Sequence, residues 1–141
     1  MKAKSNGKAH VIILERGDNV IETITKYCAD NNIASGVFTG IGAVERVKIG
    51  YYDLAKREYF FRDEKGVFEV ASMNGNVALV EGKPFIHAHA VLSRCDESCE
   101  CIGAHIKEAF VAVTLEVFLT SIDISLGREL DESIGLKLLK I

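Results

Sequence analysis

The chain has 141 residues and a mass of 15.5 kDa, which is close to the commonest size of one domain and excludes a separate substrate lobe. Hydrophobic residues make up 48% and charged residues 26% of the sequence, and this composition excludes a disordered or low-complexity chain. The formal net charge of −3 excludes a protein that holds a phosphate backbone by bulk positive charge. A mean hydropathy of +0.15 is high for so small a domain, so surplus apolar surface favours an oligomer.

The start of the chain is polar, and the remainder has no long apolar run. Residues 1–8 carry three lysines, and no segment approaches the roughly 18 apolar residues of a membrane span. We therefore expect a cytoplasmic protein without a membrane partner. We also expect a flexible N-terminus over residues 1–7, followed by a single domain over residues 8–141.

The first predicted elements are a strand and a helix. Residues 10–15 are apolar and β-branched, which favours a strand that ends before Gly17. Asn19 and Glu22 have the spacing of a capping box, and apolar residues then recur on one helical face as far as Asn31. We predict that this helix covers one face of a sheet.

Strand patterns dominate the chain from Ala34 onward. The predicted strands, rich in β-branched and aromatic residues, are 36–39, 43–53, 58–62, 67–73, 76–80, 85–93 and 105–121. Residues 63–66 and Asn74-Gly75 are predicted hairpin turns. Because the connections are too short for parallel crossovers, we predict an α+β domain in which a mainly antiparallel sheet of about seven strands packs with one main helix. Residues 135–141 suit either a last strand or a short helix.

A glycine pair at Gly40 and Gly42 resembles the start of a dinucleotide-binding loop, but the pattern fails. Glu45 occupies the third glycine position, and the text after Gly42 is a strand rather than a helix. We therefore predict that these glycines serve a tight bend or a close approach of the backbone.

Two histidines alternate with alanines on one predicted strand. His87 and His89 are two residues apart, so in a strand they lie on the same face, about 7 Å apart along the chain. An ordinary pair of hydrogen-bonded interior histidines is the alternative to a metal site. The small residues Ala88 and Ala90 leave room around the rings, and a third histidine at hairpin distance favours a metal.

The third histidine is His105, and its position depends on register. If residues 94–100 close a hairpin, His105 joins the other two rings only when it pairs opposite His87 or His89, with the loop centred on residue 96 or 97. A register one residue off would turn it to the other face. In the favourable register, three nitrogens converge on one ion at about 2.0–2.1 Å, and three histidines with a free fourth position are typical of catalytic zinc.

Other residues that could carry chemistry have weaker patterns. Cys95, Cys99 and Cys101 do not have the spacing of a zinc knuckle, and an exposed reduced loop, a thiolate cluster and a disulfide all stay open. Glu116 faces away from His105 by strict alternation, which favours a charge at a subunit contact or a sheet edge.

Three further residues have no assigned place from the sequence. Glu69 and Arg94 are candidates to assist a metal, without a predicted position. His10 has no partner in the sequence, so we expect an ordinary interior histidine.

Taken as a set, the motifs resemble the PPC (plants and prokaryotes conserved) domain family, in its stand-alone prokaryotic type. The motifs that carry the resemblance, in chain order, are Thr39-Gly40-Ile41-Gly42-Ala43, Gly50-Tyr51-Tyr52-Asp53, Gly66-Val67-Phe68-Glu69-Val70, Ser72-Met73-Asn74-Gly75-Asn76, Pro84-Phe85-Ile86-His87-Ala88-His89 and Gly103-Ala104-His105. They span roughly residues 8–141. The family often has Gly-Gly-His where this chain has Ala104 before His105, and the ligand stays in place.

The resemblance implies an assembly, a cofactor and a partner. It implies a homotrimer in which His87, His89 and His105 hold zinc, or another divalent transition metal, near a subunit boundary. DNA is the partner that it suggests, but the chain lacks an Arg-Gly-Arg-Pro AT-hook and is acidic, so a contact with DNA would be weak.

Two functions follow from these expectations. The first is a metal-binding trimeric module that acts as a regulator with DNA or protein as partner. The second, favoured by a resemblance of the fold to acetolactate decarboxylase and to a zinc-dependent ester hydrolase, is a small metal-dependent lyase or hydrolase. An enzyme needs an acid or base beside an open metal position in a concave pocket. Since no second catalytic residue stands out, the sequence favours the module.

Overall fold

A computed structural model describes residues 1–141, which form eight strands and one helix. The elements, in chain order, are β1 (Lys2–Asn6), β2 (Ala9–Glu15), α1 (Val20–Asp30), β3 (Gly36–Asp53), β4 (Glu58–Val80), β5 (Lys83–Arg94), β6 (Cys101–Ser121), β7 (Gly127–Asp131) and β8 (Leu136–Lys140). All strands belong to one sheet in the order β1-β2-β6-β3-β4-β7-β8, and β5 pairs with both β4 and β6. Only the β4–β7 pairing is parallel. The predicted sheet with one helix is confirmed, with eight strands in a mixed sheet.

Four of the strands close on themselves and enclose the core. β3 pairs with β4 and β6, and β5 also pairs with β4 and β6, so β6-β3-β4-β5 is a closed ring. Phe68 and Leu92 are fully buried within the apolar core that these strands share with the helix. One face of each strand is therefore committed to the core, and the other face is free to carry a site.

Helix α1 packs against β5 and β6, on the core side of the strands that carry the histidines. The Asn19 side chain accepts a hydrogen bond from the Glu22 backbone N–H, which confirms the predicted start. Ile24 and Tyr27 are among its buried residues. The helix ends where Asn32 adopts a positive φ of 56°. It lacks the length and apolar character that a membrane crossing needs.

Both predicted hairpin turns are wrong. Residues 63–66 and Asn74-Gly75 lie inside β4: Asp63, Glu64, Asn74 and Gly75 pair with β3, and Lys65 and Gly66 fall at a shift in the β3–β4 register. A Cβ at Gly75 would lie 2.2 Å from a ring carbon of Phe38, so this glycine permits close packing and does not form a turn. The chain reverses instead at residues 54–57 and at Glu81-Gly82.

The predicted bend at the glycine pair is present as a bulge in β3. The β3–β4 register shifts between Gly40 and Gly42. Gly42 has a φ of 146°, and a Cβ there would lie 2.2 Å from the Thr114 carbonyl oxygen. The bulge therefore requires a residue without a side chain.

The two ends of the chain are strands. Residues 1–7 were expected to be flexible, but Lys2–Asn6 pairs antiparallel with β2 and turns into it at Gly7, whose φ is 60°. All five side chains of β1 are exposed, and its order comes from backbone hydrogen bonds that a polar sequence does not reveal. Within residues 135–141, β8 settles the open choice in favour of a strand.

Candidate metal centre

Three histidines meet on the outer face of the ring. In the β5–β6 hairpin His89 pairs directly with His105, which is one of the two registers that the site requires and centres the loop on residue 97. His105 also pairs with Gly50 of β3 on its other side. The predicted juxtaposition of His87, His89 and His105 is therefore present.

The local sequence explains why the rings point outward together. Ala88 and Ala90 alternate with the histidines and are buried against the core, so His87 and His89 are left on the opposite face. His89 is exposed, whereas the other two histidines are half-buried.

The distances between the rings suit a shared ion. One potential ligand atom from each histidine lies within 4.8 Å of the others, and the Nε2 atoms of His87 and His89 are 3.2 Å apart. Two nitrogens bound to a tetrahedral zinc at about 2.05 Å lie about 3.3 Å apart, so these two rings already have the spacing of a ligand pair. The centroid of the His105 ring lies 5.1 Å from that of the His87 ring and 5.2 Å from that of the His89 ring. The residues present therefore fit zinc.

Burial keeps two of the rings neutral. It lowers the pKa of His105 to about 4, with further lowering from His87, His89 and Arg128. Burial also lowers the pKa of His87, together with the charges of Arg128 and His89. At neutral pH both rings therefore keep a nitrogen lone pair, which a metal ligand must have.

Arg128 of β7 lies directly behind His87. Its Nη2 atom is 3.3 Å from His87 Nδ1 and donates to Asn76 Oδ1 at 2.8 Å. A guanidinium has no acceptor, so Nδ1 accepts here, and the proton of a neutral His87 lies on Nε2. A metal on Nε2 would move that proton to Nδ1, so metal binding has to displace this contact with Arg128.

A cavity of about 530 Å³ opens over the three histidines. Tyr59 and Phe61 of β4 form an aromatic wall: the Tyr59 ring lies 5.2 Å and the Phe61 ring 6.1 Å from the His105 ring. Tyr52 donates its hydroxyl proton to the Ile134 carbonyl at 2.7 Å. No Asp or Glu is among the lining residues, so the cavity is largely apolar above a floor of imidazoles.

With this geometry in place, the comparisons with known proteins identify the family. The sequence model of the Plants and Prokaryotes Conserved (PCC) domain matches residues 1–123. The chain belongs to this family. No curated protein matches the chain significantly.

Solved structures of similar proteins cover nearly the whole PCC chain. A plant- and prokaryote-conserved (PPC) protein of Pyrococcus horikoshii has a TM-score of 0.87 at 29% identity, over 99% of this chain and 94% of its own. A metal-containing protein of Archaeoglobus fulgidus has a TM-score of 0.86 at 31% identity, over 96% of this chain and 94% of its own. A protein of Ralstonia eutropha JMP134, provisionally named DNA-binding, has a TM-score of 0.90 at 28% identity, over 99% of this chain and 96% of its own.

The other candidates from the sequence lie outside the cavity. Glu69 is near Cys95, whose Sγ lies 3.8 Å from its Oε1, and Arg94 pairs with Glu64 at 3.4 Å. Glu116 is exposed, and because β6 is flanked there by β2 and β3, a sheet-edge role is wrong. None of these residues lines the space above the histidines.

His10 is a structural histidine, as expected. It is buried, and its Nδ1 lies 3.0 Å from the Tyr27 hydroxyl. Its ring makes an edge-on contact with the Tyr27 ring. His10 therefore joins β2 to the helix and takes no part in the cluster.

The four thiols are free and divide into two environments. Cys95, Cys99 and Cys101 are exposed on the loop region between β5 and β6, whereas Cys28 is buried in α1. The three exposed thiols contact different oxygen atoms, and the cluster with metal-binding spacing contains histidines only. This loop therefore presents three exposed, free thiols.

We expect a thiol reagent to separate these two environments. Burial raises the pKa of Cys28 to about 12, so this thiol lacks both access and thiolate character. Mass spectrometry after brief alkylation of the native protein should show label on Cys95, Cys99 and Cys101 and none on Cys28. Denaturant should make all four react, and rapid native labelling of Cys28 would contradict the packing of the helix.

Proposed function

We propose that this PCC-domain protein is a homotrimeric zinc-binding module whose ion is held by His87, His89 and His105. The observation that carries the proposal is the convergence of three imidazoles, with donor atoms within 4.8 Å, on the floor of a cavity. The A. fulgidus relative at 31% identity is described as metal-containing, which supports a metal here. Imidazole nitrogens suit zinc among the available divalent ions.

Three protein ligands leave a coordination position for a further ligand. A bound zinc supplies a Lewis acid at that position. The chain itself contributes the orientation of the rings, through the β5–β6 pairing of His89 with His105, and an apolar wall that limits water.

A metal-dependent lyase or hydrolase is the second candidate, and the concave cavity favours it. The lining opposes it, because no carboxylate lies there and the Tyr52 hydroxyl already donates to a backbone carbonyl. The free thiols and Glu69 are elsewhere on the molecule. A binding module therefore fits the observed groups better than an acid–base enzyme.

A trimer is supported by an apolar patch on the outside of β2, β3 and β6. Phe118 is 53% exposed and lies between Val11 of β2 and Thr39 of β3 in the sheet register. Val37 and Ile41 of β3 are also more than half exposed. Such a patch is typical of a subunit contact.

DNA is the weaker partner in this proposal. Relatives with similar folds carry provisional DNA-binding names, which supports the hypothesis. The net charge of −3 opposes it, because non-specific contact with DNA depends on positive charge. The cytoplasmic location stays a prediction.

The metal content of the purified protein tests the proposal. We expect about one zinc per chain by plasma mass spectrometry, and a loss of at least about tenfold in His89→Ala, because two imidazoles hold zinc far less tightly than three. His10→Gln is the matched control, since that histidine lies outside the cluster and should leave the metal content unchanged. Equal metal in wild type and His89→Ala, or none in either, would overturn the zinc site.

A further inference from the structure

The cavity above the histidines has room for a small organic ligand. Its volume of about 530 Å³ falls within the range of ligand-binding pockets, and more than half of the lining residues are hydrophobic. Gly50 and Gly103 line it without side chains, so the space next to His89 and His105 stays open. A single metal-bound water would occupy only a small part of this volume.

Neighbouring aromatic rings hold the aromatic wall of the cavity in place. The Tyr59 and Phe61 rings are nearly parallel, with an interplanar angle of 13° and centroids 5.3 Å apart. Tyr52 meets Tyr59 edge-on at 5.1 Å, which holds that ring in place. Tyr59 nevertheless keeps 39% of its surface exposed. An exposed ring supported on two sides is suited to contact with another flat ring.

The charges around the site favour an anionic ligand. Neither the large cavity nor the smaller one of about 290 Å³ behind His87 and His105 has an Asp or Glu in its lining. Arg62 lines the large cavity and is paired with Glu64 at 2.8 Å. Arg128 lines the smaller cavity and donates to the Asn76 side chain and the Lys137 carbonyl rather than to a carboxylate, and Lys107 lies over the Phe61 ring. A divalent ion on neutral histidines would add to this positive charge, which an anionic ligand would offset.

The geometry points to a binding site for a flat, ring-bearing carboxylate, with the carboxylate on the metal and the ring against Tyr59 and Phe61. This inference rests on the metal site of the proposed function. It assigns the cavity a ligand class and gives the aromatic residues a role in recognition.

Cobalt-loaded protein tests the inference, because Co²⁺ occupies the same kind of site as zinc and its visible absorption reports a change of ligand. Benzoate and acetate present the same donor group, and only benzoate carries a ring. We expect benzoate to bind at least about tenfold more tightly than acetate, because the ring would be removed from water. Cyclohexanecarboxylate, which is apolar but not flat, should bind more weakly than benzoate.

Two variants locate the effect. Tyr59→Leu removes the exposed ring of the aromatic wall but keeps an apolar side chain, and it should reduce the preference for benzoate to less than about threefold while cobalt uptake persists. Phe110 is an aromatic residue outside the cavity, and Arg46 lies over its ring. Phe110→Leu should therefore leave the preference for benzoate unchanged. Equal affinities for benzoate and acetate, or a preference that survives Tyr59→Leu, would overturn the cavity inference with the metal site intact. Equal binding of cyclohexanecarboxylate would overturn the requirement for a flat ring, and no cobalt uptake would overturn the proposed function together with this inference.

Discussion

Gly50→Ala is expected to destabilise the fold and to remove the metal site in the same step. A Cβ at position 50 would lie 2.0 Å from the Phe60 carbonyl oxygen and 2.7 Å from a ring carbon of Phe61, so the two strands would have to separate. Overpacking of this kind costs about 1–3 kcal/mol. Because Gly50 pairs with His105, the same separation moves a ligand. The midpoint of urea unfolding and the zinc content should therefore both fall.

Gly103→Ala is the matched control for this prediction. Gly103 also lines the cavity, but a Cβ there would meet only the Ala90 carbonyl oxygen at 3.7 Å and a Val91 methyl at 3.8 Å, which are ordinary contacts. The urea midpoint should stay close to wild type, and zinc should still bind. If both glycine variants behaved alike, the close approach of β3 and β4 at Gly50 would not explain the effect.

Local patterns were sufficient to predict the helix and to limit the histidine register to two pairings that form the cluster. The Asn19 cap depends on neighbours within one turn of the chain, so the sequence contains the whole signal. Alternation allowed His105 to pair with His87 or with His89, and the structure selects His89. Both features involve residues that are close in the chain; the helix start is confirmed, and the observed pairing is one of the two that the cluster requires.

The predictions of local structure failed where the conformation of a residue depends on a neighbour that is distant in the chain. Gly75 has the sequence of a turn, yet it lies within β4 because the Phe38 ring occupies the space of its side chain. In the same way, Lys2–Asn6 becomes a strand because β2 offers a free edge, which depends on the whole sheet. Turn residues therefore predict a turn only if no ring or backbone from elsewhere needs their space.

The surroundings of the histidines were missed for the same reason. Arg128 lies 41 positions from His87 in the chain and reaches it only because β7 pairs beside β4. Tyr59 and Phe61 reach His105 through the β3–β4 pairing. The run of three aromatic residues at 59–61 was an available signal, since so many large apolar side chains on a short strand usually have a partner.

If the protein forms the proposed trimer, a charge at position 118 is expected to break it into monomers. Phe118 lies on the apolar patch between Val11 and Thr39, and its burial in a contact would contribute about 1.5–3 kcal/mol per chain. Phe118→Glu loses that contribution and adds the cost of an unpaired buried charge, which is several kcal/mol. Light scattering should give three times the chain mass for wild type and the chain mass for the variant.

The same charge change elsewhere shows whether the patch itself is responsible. Leu54, at the turn between β3 and β4, is 71% exposed and lies outside the patch, so Leu54→Glu should remain trimeric. Phe118 lies on the side of the sheet that faces away from the helix and the core. Phe118→Glu should therefore leave the core intact, and the variant should still unfold cooperatively. A monomeric wild type would overturn the trimer, whereas a trimeric Phe118→Glu protein would place the subunit contact on another surface.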